Sequence, residues 1–70
     1  MRTFYTKIKS GTKVAIRGVI KGTMGAFCGG IWVCGDGVFM VRCTEVEYKK
    51  FADWVEERYP GVCKFEVKVG

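Results

Sequence analysis

The sequence predicts an α+β fold: a single small domain with a four-stranded antiparallel meander, one α-helix packed on one sheet face, and then a fifth edge strand. Three observations support this prediction. The first 43 residues alternate as strands do, residues 44–59 change to a helical period, and the segment after Pro60-Gly61 alternates again. Seventy residues are enough for one domain, 1–70, and not for two.

Four strands are predicted before the helix, separated by the turn-type stretches SGT, GTMG and GDG. Loops at 10–12, 22–25 and 35–37 give the sheet one wholly apolar face. A slip of one residue would turn the apolar set of a strand outward, so the pattern tests the register. The predicted core face consists of Phe4, Ile8, Val14, Ile16, Ile20, Phe27, Ile31, Val33, Phe39, Val41 and Cys43.

The GDG stretch allows two hairpin registers. A two-residue turn at Asp36-Gly37 is a common hairpin connection. It would place Val33 beside Met40 and mix the apolar face with the other face. A three-residue loop at 35–37 keeps the two faces separate, and we therefore predict it.

The predicted helix has clear start and stop signals. Thr44 as N-cap, with Glu47 three residues later, forms a capping box. Pro60-Gly61 follows the last turn and ends the helix. The apolar stripe that faces the sheet is Tyr48, Phe51, Ala52, Val55 and Tyr59.

The C-terminal stretch CKFEVKV alternates as a fifth strand. Its inward residues are Cys63, Phe65, Val67 and Val69, and its outward residues are Lys64, Glu66 and Lys68. We predict that it pairs antiparallel beside the first strand, which gives the order 5-1-2-3-4. Parallel pairing beside the fourth strand is the alternative.

The second face of the predicted sheet is basic and carries aromatic rings. Lys9 lies opposite Lys13 in this register, a like-charge pair that costs some stability in an isolated sheet. Trp32 lies outward beside Gly30, among several cations. The candidate binding residues on this face are Tyr5, Lys7, Lys9, Lys13, Arg17, Trp32, Met40 and Arg42.

Such a face suits single-stranded nucleic acid. Cations contact phosphates, and an exposed ring stacks on a base that is not already stacked in a duplex. The formal net charge of +5 and the pI near 9.2 permit an anionic partner without requiring one. The first hypothesis is therefore a non-catalytic module that binds single-stranded nucleic acid through this face.

Two other uses of the same face stay open. Trp, Met and Arg together are also typical of protein-binding hot spots. The second hypothesis is a small inhibitor or adaptor, of the type that phages and mobile elements encode, that docks the Trp32–Met40 patch on an acidic surface of a host protein. The third is that this patch forms a homodimer interface.

Catalysis is not expected. The sequence has no histidine, so the commonest general base is absent. The glycine-rich stretch GTMGAFCGG lacks the lysine and the strand-to-helix context of a phosphate-binding loop. We predict a protein that is not an enzyme and has no cofactor.

The four cysteines are predicted to be reduced thiols. No two of them form a CxxC pair, and the spacing of the set Cys28, Cys34, Cys43 and Cys63 fits no zinc site. We therefore predict no metal site. Cys34, at a strand end near Lys13, is expected to be the reactive thiol. The chain opens without a signal-peptide pattern and has no apolar run of membrane length, which predicts a cytoplasmic protein with no membrane partner.

Overall fold

The computed structural model describes residues 1–67, and within them the chain forms four strands and two helices. In chain order these are β1 (Arg2–Ile8), α1 (Val14–Cys28), β2 (Ile31–Gly35), β3 (Val38–Cys43), α2 (Glu45–Arg58) and β4 (Cys63–Val67). The strands lie in the order β2-β3-β1-β4, and each neighbouring pair is antiparallel. This is the split β-α-β, or ferredoxin-like, topology. The predicted α+β class with an antiparallel sheet is confirmed.

The second predicted strand is wrong, because residues 14–28 form helix α1. Ile20, Met24 and Cys28 lie four residues apart and are buried in the core, as one stripe of a helix requires. The stripe runs through GTMG at 22–25, so the predicted loop there is wrong. The four-stranded meander and the order 5-1-2-3-4 are therefore also wrong, and β1 pairs with β3 instead.

The predicted core face is partly correct. Among its members, Val14 and Val33 are exposed, with 82% and 62% of their surface accessible. Val14 lies in the first turn of α1, and Val33 lies on the edge strand β2. The members that are buried are Phe4, Ile8, Ile20, Phe39, Val41 and Cys43, and those that pack against them are Ile16, Phe27 and Ile31.

The β2–β3 hairpin has the predicted register but a different turn. Val33 pairs with Phe39, as predicted. The turn is the two-residue Asp36-Gly37 connection and not the predicted three-residue loop at 35–37, and Gly35 pairs with Val38. A β-bulge between Val33 and Gly35 takes up the extra residue and keeps the faces separate. The Gly37 carbonyl accepts a 2.7 Å hydrogen bond from the Ile8 N–H, which fixes the turn to the end of β1.

Helix α2 has the predicted capping box and core stripe. The Thr44 side chain accepts from the Glu47 N–H, and the Glu47 carboxylate accepts from the Thr44 N–H. The Tyr48 ring stacks on Phe4 of β1, with centroids 4.1 Å apart. The buried residues of this helix are Tyr48, Phe51 and Val55, and Tyr59 packs against them.

The last strand pairs antiparallel with β1, as predicted. Phe65 faces the core, and its ring meets those of Tyr48 and Phe51 edge-on. The predicted inward Val69 and outward Lys68 lie outside the described residues. Both helices contribute to one core on the same side of the sheet. The opposite side of the sheet, called the open face below, carries no helix within residues 1–67.

Candidate binding surface on the open sheet face

A row of four paired residues crosses the open face. Trp32 of β2 pairs with Met40 of β3, Met40 with Tyr5 of β1, and Tyr5 with Glu66 of β4. Adjacent strands lie about 4.8 Å apart, so this row is about 14 Å long. Trp32 lies on the edge strand, and 51% of its surface is exposed. Met40 and Tyr5, on the inner strands, are half-buried by their neighbours. The register therefore places two rings and a thioether on adjacent strands of the same face.

Cations flank this row on both sides along the strands. On one side Arg42 pairs with Thr3, and on the other Lys7 pairs with Val38 and with Lys64. Two lysines directly opposite each other repel and destabilise the pairing. The Glu66 carboxylate, next along β4, forms a 3.4 Å ion pair with Lys7, and both side chains are about half exposed. One acid therefore offsets part of the positive charge on this surface.

A cleft opens beside these lysines, where β1 ends and β4 begins. Its volume is about 400 Å³, and it is lined by Lys7, Ile8, Lys9, Gly61, Val62, Cys63 and Lys64. The Lys9 N–H donates a 2.7 Å hydrogen bond to the Val62 carbonyl, which continues the β1–β4 ladder into the loop after α2. The cleft therefore joins three lysine side chains to a fixed backbone segment.

The structure places the eight predicted site residues in two groups. The first group is on or next to the open face: Tyr5, Lys7, Trp32, Met40 and Arg42 lie on its strands, and Lys9 lines the cleft. The second group, Lys13 and Arg17, belongs to α1 and is not part of this surface. The predicted Lys9–Lys13 pair is therefore wrong, and Lys7–Lys64 is the like-charge pair across strands.

Arg17 has a structural partner in its actual position. Its Nη1 donates to the Asp36 carboxylate at 3.3 Å, which connects the first turns of α1 to the β2–β3 turn. Lys13 is the N-cap residue of α1 and makes no side-chain capping bond. The sequence pattern places both residues on the basic face because it predicts a strand over 13–21.

The cleft itself was not predicted from the sequence. The sequence does predict Lys64 on the outward side of the last strand. No local pattern places Gly61 and Val62 beside Lys9, because that contact depends on the register between β1 and β4 and not only on their being neighbours. The sequence signal that pointed in this direction was the alternation of Lys7 and Lys9 with Ile8.

The four cysteines are free thiols in different surroundings. Cys28 and Cys43 are buried; burial, and then the neighbouring Cys43 thiol, raises the pKa of Cys28 to about 12. Burial also raises the pKa of Cys63 to about 11, so this thiol on the cleft wall is protonated at neutral pH. Cys34 is exposed at the bulge of β2. Among the described residues, no group of three His, Cys, Asp or Glu side chains is arranged to hold a metal ion.

Comparison of the chain with protein-family models, curated proteins and solved structures found no match. Within residues 1–67, neither helix is long and apolar enough to cross a membrane.

Proposed function

We propose that the protein is a non-catalytic module that binds single-stranded nucleic acid on the open face of its sheet. The observation that supports this most is the row Trp32–Met40–Tyr5, which lies on a sheet face that carries no helix within residues 1–67. Contiguous apolar surface that a folded protein leaves exposed usually marks the site of a partner.

Stacking is the first part of the argument. Base–aromatic stacking is worth about 1–3 kcal/mol per base and tolerates any sequence, because every base has a π-face. Trp32 and Tyr5 offer two rings, separated by Met40. Bases in a duplex are already stacked, so this row favours single strands. RNA-recognition motifs use the face of a four-stranded sheet in the same way, an analogy of surface and not of family.

Charge is the second part of the argument. Arg42 lies on one side of the row, and Lys7 and Lys64 lie on the other, so a strand crossing the row meets cations along both borders. Phosphate contacts of this kind release counterions, and affinity then falls with salt. The formal net charge of +5 adds a long-range attraction for polyanions.

A second candidate function is favoured by the apolar content of the same surface. Val38 pairs with Lys7 beside the row and extends the Trp32–Met40 patch toward the β2–β3 turn. A small inhibitor or adaptor, of the type phages and mobile elements encode, would dock this patch on an acidic surface of a host protein. Such a hot spot loses most when its tryptophan is truncated and little when a rim lysine is. A homodimer through the same patch is the third use.

Fluorescence anisotropy of labelled oligonucleotides tests the proposal. We expect micromolar or tighter binding of single strands, weaker binding of the matched duplex, and a linear fall of log K with log salt from about 50 to 200 mM. Equal affinity for both forms, or no binding at the lowest salt, would reject it. Sedimentation of the free protein in the same buffers separates the homodimer from the other two functions.

A further inference from the structure

The cleft where β1 ends and β4 begins is lined by three positively charged side chains that do not stabilise the strand pairing. Lys7, Lys9 and Lys64 all line it, and Lys7 and Lys64 are direct cross-strand partners. A like-charge pair in this position destabilises the strand pairing. Within residues 1–67, one carboxylate, Glu66, forms an ion pair with any of the three, and it reaches Lys7 alone.

We propose that this cleft is a binding site for a phosphate group. Three lysines line the cleft, and lysine ammonium groups donate charge-assisted hydrogen bonds to phosphate oxygens. The opening has a volume of about 400 Å³, which accommodates a phosphate and its neighbouring atoms. The neutral Cys63 thiol on the wall adds no negative charge that would oppose an anion.

The position of the cleft connects it to the proposed function. Lys7 is two residues from Tyr5 on the same face of β1, a step of about 6.8 Å. This step is comparable with the separation of a base from the phosphate of its own nucleotide. That the natural ligand is a phosphate of a nucleic acid rests on the proposed function. That the cleft binds an anion does not.

Glu66 competes with the anion for Lys7. Its carboxylate is 3.4 Å from the Lys7 ammonium, and it lies in the Tyr5 row at the border of the cleft. Replacing it by glutamine removes this competitor and one repulsive charge. We therefore expect Glu66→Gln to tighten phosphate binding about two-fold or more, an effect of the size that exposed charge pairs produce.

The test uses inorganic tripolyphosphate, which has no base to stack. Titration followed by backbone amide NMR should saturate in the low millimolar range or tighter, with shifts concentrated at Lys7, Lys9 and Gly61–Lys64. Lys9→Gln and Lys64→Gln should each weaken binding about three-fold or more. Lys49→Gln and Lys50→Gln, which change exposed lysines of α2, are the matched controls and should leave it unchanged. Shifts spread evenly over the surface, or equal losses in the controls, would overturn the site.

Oligonucleotide binding by the same variants separates the two proposals. If tripolyphosphate saturates the cleft but no single strand binds, the anion site stands, its source is a free phosphate compound, and the proposed function fails. If single strands bind but Lys9→Gln and Lys64→Gln leave both titrations unchanged, the proposed function stands and the phosphate site is rejected. Trp32→Ala should weaken the binding of the oligonucleotide and leave the binding of tripolyphosphate unchanged.

Discussion

The hydroxyl of Thr6 lies 2.9 Å from the phenol oxygen of Tyr48, in the core between β1 and α2. The Tyr48 O–H itself donates to the Tyr5 carbonyl at 2.8 Å, so the Thr6 O–H is the donor to Tyr48. Thr6 is fully buried, and within residues 1–67 the Tyr48 oxygen is the one side-chain partner of its hydroxyl. The chain of hydrogen bonds connects α2 to the backbone of the strand residue whose ring lies on the open face.

This chain of hydrogen bonds predicts coupled losses of stability. Tyr48→Phe leaves the buried Thr6 hydroxyl without its acceptor, and we expect it to lower the free energy of unfolding by about 1–3 kcal/mol. Thr6→Val should also destabilise, because Tyr48 loses a donor. Urea unfolding of both single variants and the double variant measures the coupling, and the double variant should lose less than the sum. Strictly additive losses would mean that the two hydroxyl groups do not act together.

The cations of the open face predict a selective change in salt dependence. Arg42→Gln and Lys7→Gln should each weaken single-strand binding and reduce the slope of log K against log salt by about 0.7, the value for one lost phosphate contact. Arg17→Gln removes the same charge from α1, where the guanidinium pairs with Asp36. Its slope should match that of the unchanged protein in the same titrations. An equal fall for Arg17→Gln would show that net charge alone drives binding.

Buried acids predict a loss of stability at alkaline pH. Burial raises the pKa of Cys28 from 9.0 to about 12 and that of Tyr48 from 10.0 to about 12. The folded state therefore holds these protons more tightly than the unfolded state, and the stability they contribute is complete below pH 9. It is lost as pH rises from about 9 through 12. Urea unfolding at intervals from pH 7 to 10.5 should show a constant plateau and then a fall.

The control for this pH effect is the exposed thiol. Cys34→Ala should leave the alkaline fall unchanged, since that side chain is exposed in the folded protein. Cys28→Ala removes one of the responsible groups, so the free energy of unfolding should decrease less steeply with pH. This variant should also be less stable than the unchanged protein at pH 7, because the substitution leaves a cavity. A free energy of unfolding that stays constant to pH 10.5 would contradict the assigned burial.

Thiol accessibility predicts one fast-reacting cysteine. Cys34 is exposed, Cys28 and Cys43 are buried, and Cys63 is half-buried with its pKa raised to about 11. Thiolate formation and access together set the rate of reaction with a disulfide reagent. In the native protein at pH 8, we expect one thiol equivalent to react rapidly with a chromogenic disulfide reagent and three to react slowly. The rapid equivalent should be absent in Cys34→Ser. Two or more rapid equivalents would contradict this arrangement.

The parts of the fold that the sequence predicted are those with local causes. The capping box of Thr44 and Glu47 needs only residues three apart, and the inward and outward sides of β1 follow from alternation alone. Helix α1 was missed because Val14, Ile16 and Ile20 also fit a strand period. Its glycines, Gly18, Gly22 and Gly25, each cost about 1 kcal/mol relative to alanine and argue against a helix. Packing of the buried stripe overrides that cost.

The candidate site was predicted to the same extent and for the same reason. Tyr5, Lys7, Trp32, Met40 and Arg42 lie on the open face whichever strand is the neighbour of β1, because outward orientation belongs to each strand. The Trp32–Met40 pair followed from keeping the hairpin faces apart. The cleft depends on the register between β1 and β4, which was not predicted although their antiparallel pairing was, and on the contact of residues 61–62 with the segment after β1.

The measurement that tests the central claim most directly compares Trp32→Ala with Val33→Ala in single-strand binding. The two residues are neighbours on the edge strand β2 and comparably exposed, at 51% and 62%, but Trp32 is on the open face and Val33 on the helix side. We predict that Trp32→Ala weakens binding by about 1–3 kcal/mol, the value of one stacked base, while Val33→Ala does not. Equal affinities for both variants, with unchanged circular dichroism, would contradict a binding site on the open face.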